Sequence, residues 1–240
     1  MFLKEDLENR IPLNRILPFA NVDGLGNRTS IFVQGCDIRC VYCHNPETQD
    51  VKYKVRDVSV EDLVKEIEPY IPYVRGVTVS GGEPTLYYKE LTSLFKELHK
   101  RNLTCYVDSN GYFDRERIKS LIEVSDKFLF DVKTVSKSKE VIGVEKTGNL
   151  ENLKYLLELG KVEEVRHVAL SNIGDSEDVI KEVSKILVNY PDVLFRIIKV
   201  HSRGSKNAKL IDDMVPSNKF MGKLGKLASD LGVERVRVHL

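Results

Sequence analysis

The sequence lacks any apolar run long enough to cross a bilayer, and its opening stretch, MFLKEDLENRIPLNRILPFA, is acidic early and broken by Pro12 and Pro18. That pattern fits neither a signal peptide nor a membrane helix, so the expected location is cytoplasmic, with no membrane partner. An excess of charge of one sign is also missing, with 37 Lys plus Arg against 36 Asp plus Glu. Such a balance leaves no electrostatic footprint for a polyanion, and nucleic acid is not an expected partner. Linkers rich in Gly, Ser or Pro, low-complexity blocks and sequence repeats are absent. Residues 1–240 are therefore expected to form one domain. Cysteine is sparse, four in 240 residues, and three of the four fall at positions 36, 40 and 43. This is not the spread, even-numbered spacing of a secreted disulfide framework, and a reducing compartment suits it better.

What is present is a regular alternation. Short β-rich runs precede helical stretches six times: TSIFVQ, GVTVS, LTCYV, KFLFDVK, VEEVRHVAL and DVLFRIIKV are each followed by a segment of helical apolar spacing. Ser59 and Ser176 stand where helix-capping residues are expected. Strands separated by helices need crossover connections, so the sheet is expected to be parallel, with its ligand side at the C-terminal ends of the strands. Six units fall short of a complete eight-stranded closure. The expected fold is α/β, a partial, laterally open (β/α)6 TIM-like barrel of parallel strands. The distinctive residues follow the strands in turn: the cysteine run, SGGEPT, DSNG, DVKT, SNIGDS and HSRGS. The closing VERVRVHL alternates apolar and charged residues, as a strand covering a sheet edge does.

Cys36, Cys40 and Cys43 lie in the loop 35–47, close enough for one loop to wrap three thiolates around an inorganic centre. Structural zinc would want a fourth protein ligand, and His44, adjacent to Cys43, is poorly placed to supply it. CVYC alone matches a thioredoxin-like pair, which leaves Cys36 unexplained. Plain core cysteines would not gather in a loop carrying Asp37, Arg39, His44 and Asn45. Cys105, mid-strand in LTCYV, reads as a buried small hydrophobe. Gly81 and Gly82 lack a β-carbon and so admit close backbone approach, while Glu83 can fix their loop. Asp108, Asp131 and Lys133 close strands, where a carboxylate can order a polar site or bind a cation and an ammonium can meet a carboxylate.

C-x3-C-x2-C after the first strand with GGEP after the second resembles the radical S-adenosylmethionine (SAM) superfamily across nearly the whole chain. VDGLGNRTSIFVQGCDIRCVYCHNPET, VSGGEPTL, VDSNGYF and FDVK resemble more narrowly the activating enzymes of glycyl radical enzymes, including pyruvate formate-lyase activase. The resemblance implies that Cys36, Cys40 and Cys43 hold one 4Fe-4S cluster with an open iron, to which SAM binds. It implies SAM contacts for Tyr42, Cys43 and His44 on the adenine side, for Gly81, Gly82 and Glu83 at the methionine portion, and for Asp108, Asp131, Val132, Lys133 and Thr134. A monovalent cation is implied near Asp108 and Asp131, and His201 near the ribose. Arg166 either faces the same site or forms a structural salt bridge.

The implied activity is reductive cleavage of SAM to a 5'-deoxyadenosyl radical that installs a glycyl radical on a partner enzyme. Flavodoxin or ferredoxin is the implied electron donor and the implied activity is anaerobic; a monomer is expected, with the oligomeric state left open. CHNPETQDVKYKVRDVSVEDL passes directly from the cluster loop to the next helix with no ferredoxin-like insertion, so a single cluster is expected. Alternatives left open are a radical enzyme acting on a small molecule, an activase of anaerobic ribonucleotide reductase, and a non-catalytic iron-sulfur carrier or zinc-stabilised module.

Overall fold

The computed structural model describes residues 10–202 and 208–240 of the chain. Its strands are β1 (Arg10–Ala20), β2 (Arg28–Val33), β3 (Arg56–Ser59), β4 (Gly76–Gly81), β5 (Thr104–Ser109), β6 (Lys127–Asp131), β7 (Val162–Ala169), β8 (Leu194–Lys199) and β9 (Val236–His239). They form one sheet in the order β3-β1-β2-β4-β5-β6-β7-β8-β9, mostly parallel and not closed on itself. This is the expected α/β class, with all six expected strand runs present. β2, β4 and β5 pair in parallel, as do β7, β8 and β9, because helices occupy the connections between successive strands. All of β2 is buried, which explains why RTSIFV shows no polar alternation. β9 ends the strand order, as its charged alternation implied.

β1 and β3 are additions that the sequence reading did not contain. β1 runs antiparallel to both β2 and β3 although it carries Pro12 and Pro18. Proline removes a backbone donor but leaves the carbonyl, and both prolines use theirs: Gln34 N–H donates to the Pro12 carbonyl at 2.8 Å, and the Thr29 hydroxyl to that of Pro18 at 3.0 Å. Register shifts between Leu13 and Arg15 and between Leu17 and Ala20 absorb the irregularity.

The chain divides into two compact units. The first comprises Met1–Asp37, Glu47–Ser109 and Phe113–Leu129, and the second Ile38–Pro46, Asn110–Tyr112 and Phe130–Leu240. In the first unit, α1 (Val60–Ile67) starts at Ser59, whose hydroxyl accepts the Asp62 N–H at 3.1 Å and donates to the Asp62 carboxylate at 2.8 Å. This reciprocal cap satisfies an orphan donor, and Val60, Leu63, Val64 and Ile67 then form the buried stripe. α2 (Tyr88–His99) buries Leu91, Leu94, Phe95 and Leu98, and the short α3 (Lys119–Val124) buries Leu121 and Ile122.

The second unit carries α4 (Ser138–Ile142), α5 (Asn149–Glu158), α6 (Ser176–Leu187), α7 (Ala208–Asp212) and α8 (Asn218–Asp230). Ser176 is the first helical residue of α6 rather than its cap. Asp175 holds the cap position, while the Ser176 hydroxyl accepts the Leu170 N–H at 3.1 Å. The difference arises because both side chains are spent on distant backbone. Among the described residues no helix is long and apolar enough to cross a membrane.

Arg28 is 1% exposed at the head of β2. Its guanidinium donates to Thr78 Oγ1 at 2.7 Å, the Val77 carbonyl at 2.8 Å and the Thr104 carbonyl at 2.9 Å, and lies 3.6 Å from the centre of the Tyr106 ring. One side chain thus ties β2 to both β4 and β5 through charge-assisted bonds in a dry setting. Replacing it leaves several buried acceptors without donors. Arg28→Met is expected to lower stability by about 3 kcal/mol, seen as a lower denaturant midpoint with an unchanged slope.

Candidate functional site

In the first unit the loop that leaves β2 is stitched to the loop that leaves β4. Gly82 N–H donates to the Val33 carbonyl at 2.9 Å and Glu83 N–H to the Gly35 carbonyl at 2.8 Å. The approach is so close that a β-carbon on Gly82 would sit 1.9 Å from the Gly35 oxygen. Gly81 has φ +110, and a β-carbon there would meet the Val33 backbone at 2.5 Å. The two glycines are therefore required by the chain itself. Glu83 is 1% exposed and accepts from Thr85 N–H at 3.1 Å, Thr85 Oγ1 at 2.7 Å and Ser109 Oγ at 2.9 Å, which locks the turn that follows. Asp108, at the end of β5, accepts from Ser80 Oγ at 2.9 Å.

Cys36 lies in this unit, its N–H donating to the Gln49 carbonyl at 3.2 Å. Gln34 just before it is buried, and its Nε2 donates at 2.8 Å to the carbonyls of both Glu47 and Asp50. Its own carbonyl accepts from the Tyr87 hydroxyl. Gln34 thus anchors the outgoing and returning limbs of the loop 35–47. Nothing local in the sequence signals this role.

In the second unit the middle of that loop lies along α4. Arg39 N–H donates to Ile142 O at 2.7 Å and Val41 N–H to Val141 O at 3.1 Å, and Cys43 N–H closes a turn on Cys40 O at 3.2 Å. Tyr42 is 3% exposed, and burial holds its phenol well above the ordinary pKa. His44 stacks on His201, with centroids 4.2 Å apart and planes 16° apart, and its Nε2 meets the His201 carbonyl at 3.1 Å. Burial lowers the His44 pKa, so the ring is neutral and Nε2–H is the donor. The geometry brings His201 to His44, two residues 157 apart in sequence.

Lys133 and Asp131 form an ion pair of 2.7 Å at the end of β6. Burial alone would depress the ammonium pKa, but Asp131, Tyr42 and Cys40 outweigh it and hold Lys133 charged. Val132 and Thr134, on either side of Lys133, are buried. Val132 N–H donates to the Arg166 carbonyl at 2.9 Å and Thr134 Oγ1 to the Asp175 carboxylate at 2.9 Å. The Arg166 side chain donates to Glu164, which also pairs with Arg196 at 2.7 Å, so Arg166 belongs to a salt-bridge network. His167, buried in β7, places Nδ1 2.8 Å from the Val132 carbonyl. Gln34, His167 and Asp175 are the residues that the sequence reading did not single out.

None of the four cysteines forms a disulfide. Cys105 is fully buried in β5, where burial pushes its thiol far up, and its sulfur lies in a group with His99 and Asp126, which pair with each other at 2.9 Å. It is not a fourth member of the loop's set. The donor chemistry of Cys36, Cys40 and Cys43 fits a cluster held by three thiolates with one position left to another ligand. The charged Asp131–Lys133 pair fits a zwitterionic ligand. The last part of HSRGS, residues 203–205, lies outside the described residues.

Residues 30–183 match the family model described as the Radical SAM superfamily. A Haemophilus influenzae protein, whose name assigns it provisionally as a glycyl-radical enzyme activating enzyme, is 41% identical over 94% of this chain and 95% of its own length. The pyruvate formate-lyase-activating enzyme of Staphylococcus epidermidis is 34% identical over 80% of this chain and 82% of its own. In fold, the chain is similar to the crystal structure of a domain of a pyruvate-formate lyase-activating enzyme from Bacteroides vulgatus, with TM-score 0.56 and 19% identity over 69% of this chain and 99% of that one. Three thiols in one loop, a glycine pair locked beneath it and these matches lead to one assignment: the chain belongs to the radical SAM superfamily and, within it, to the glycyl-radical enzyme activating enzymes.

Proposed function

We propose that this protein activates a glycyl radical enzyme by removing a hydrogen atom from the α-carbon of a glycine on that partner. The observation that carries the reading is the loop after β2, which carries three cysteines and no fourth, none of them in a disulfide. When bound, the 4Fe-4S cluster and SAM supply the one-electron cleavage that gives methionine and the 5'-deoxyadenosyl radical. The protein's own groups hold, orient and shield. Cys36, Cys40 and Cys43 ligate a single cluster. Lys133 meets the carboxylate of SAM, its charge maintained by Asp131.

Tyr42, the neutral His44 ring and the His201 ring stacked on it offer faces to the adenine and ribose. Gly81, Gly82 and Glu83 shape the wall at the methionine portion, with Val132 and Thr134 contributing backbone. A monovalent cation at Asp108 and Asp131 would offset carboxylate charge. The reading further assigns residues 1–240 to one domain, working as a cytoplasmic monomer without oxygen and without nucleic acid or membrane, with flavodoxin or ferredoxin as electron donor. No observation favours the small-molecule, ribonucleotide reductase or electron-carrier alternatives.

Anaerobic reconstitution followed by dithionite and SAM is expected to release 5'-deoxyadenosine, and a fully loaded protein that releases none overturns the reading. Cys40→Ala should lose the cluster, whereas Lys133→Ala should keep its iron and bind SAM roughly tenfold more weakly, as loss of one charge-assisted contact implies. Iron and sulfide assays should return about four of each per chain, and about eight of each would contradict a single cluster.

A further inference from the structure

His167 is a polar ring in the core of the second unit, 2% exposed. Burial depresses its pKa and keeps it neutral, so Nδ1–H donates to the Val132 carbonyl. Nε2 is equally buried and has no hydrogen-bond partner among the described residues. Leaving such a nitrogen unsatisfied is destabilising, a cost that an apolar side chain of similar size would avoid. The ring's Nδ1 contact is with the carbonyl of Val132, the residue between Asp131 and Lys133.

The rest of that segment is held as tightly. Val132 N–H is taken by the Arg166 carbonyl. Oδ2 of Asp175, itself only 8% exposed, accepts from Thr134 Oγ1 at 2.9 Å, Val135 N–H at 2.9 Å, Ser136 N–H at 2.7 Å and Ser136 Oγ at 3.0 Å. Burial would raise the Asp175 pKa, but these bonds outweigh it and hold the carboxyl below its usual range, so it is charged at neutral pH. The backbone on both sides of Lys133 is thus clamped, from β7 by His167 and from the cap of α6 by Asp175. A rotation of either adjoining peptide would carry the Lys133 ammonium away from Asp131, and the clamp opposes both rotations.

We infer that His167 and Asp175 are positioning residues that fix the 132–136 backbone and so aim the Asp131–Lys133 pair at the carboxylate and amino groups of SAM. The inference rests on the activase reading. Neither residue touches the cofactor; each acts through the segment it holds.

The test titrates SAM into the reduced, cluster-loaded protein and follows the cluster's electron paramagnetic resonance spectrum, with iron content and thermal midpoint measured alongside. Asparagine places an amide donor close to where Nδ1 lies, whereas leucine offers none. His167→Leu and Asp175→Asn are expected to load iron like the wild type and to bind SAM about tenfold more weakly, while His167→Asn stays within about twofold of the wild type. Wild-type affinity in His167→Leu, or no recovery in His167→Asn, overturns the inference. If His167→Leu fails to fold, Asp175→Asn decides, and wild-type affinity there overturns it equally. A loaded wild-type protein whose spectrum does not respond to SAM sinks the activase reading itself, a result distinct from any difference among variants.

Discussion

The close contact between Gly82 and the Gly35 carbonyl is the constraint on which the rest depends. Two backbones meet there with no room for a side chain, and the hydrogen bonds on either side, Gly82 to Val33 and Glu83 to Gly35, pair polar groups that would otherwise be stranded at strand ends. Because this contact is made of main chain, it fixes where the loop carrying Cys36 leaves β2 without drawing on a bound metal. Gln34 and the Tyr87 hydroxyl reinforce the same point. The GGE segment is therefore a structural joint.

Electrostatics in the second unit shows the complementary strategy, in which polar groups are buried and then satisfied. Lys133 stays charged although burial opposes it, because Asp131 lies 2.7 Å away. Asp175 is held ionised by four donors on one segment, and His167 is held neutral with its single proton directed at Val132. Each arrangement gives up some stability for orientation, since a well-packed apolar residue would avoid the desolvation. Groups of this kind gather where a site needs its charges aimed.

Much of the architecture was legible beforehand. β-rich runs of five to nine residues between helical stretches identify six strands, and the S-x-x-D at Ser59 identifies a helix start, because both signals are local. β1 escaped notice because Pro12 and Pro18 argue against a strand, and only pairing with β2 and β3 shows that their carbonyls suffice. Ser176 has equally good local credentials as a cap. Asp175 took that position because its carboxylate is engaged 39 to 41 residues away, at Ser136 and Thr134, which no local pattern reports.

By itself the sequence determined the chemistry available: three thiols at C-x3-C-x2-C, a glycine pair after the next strand, an Asp-x-Lys after the fourth, and the α/β class that places these after strands. Spacing and periodicity are properties of neighbouring residues, and such properties can be read along a chain. Only the tertiary structure decided that His44 stacks on His201, that Arg166 is engaged by Glu164, that Cys105 stands apart, and that Gln34, His167 and Asp175 do the holding. Apart from the Arg166–Glu164 pair, which lies within β7, the contacts named here join residues 13 to 157 apart, and they form only when the packed chain brings those segments together, which a local pattern does not report.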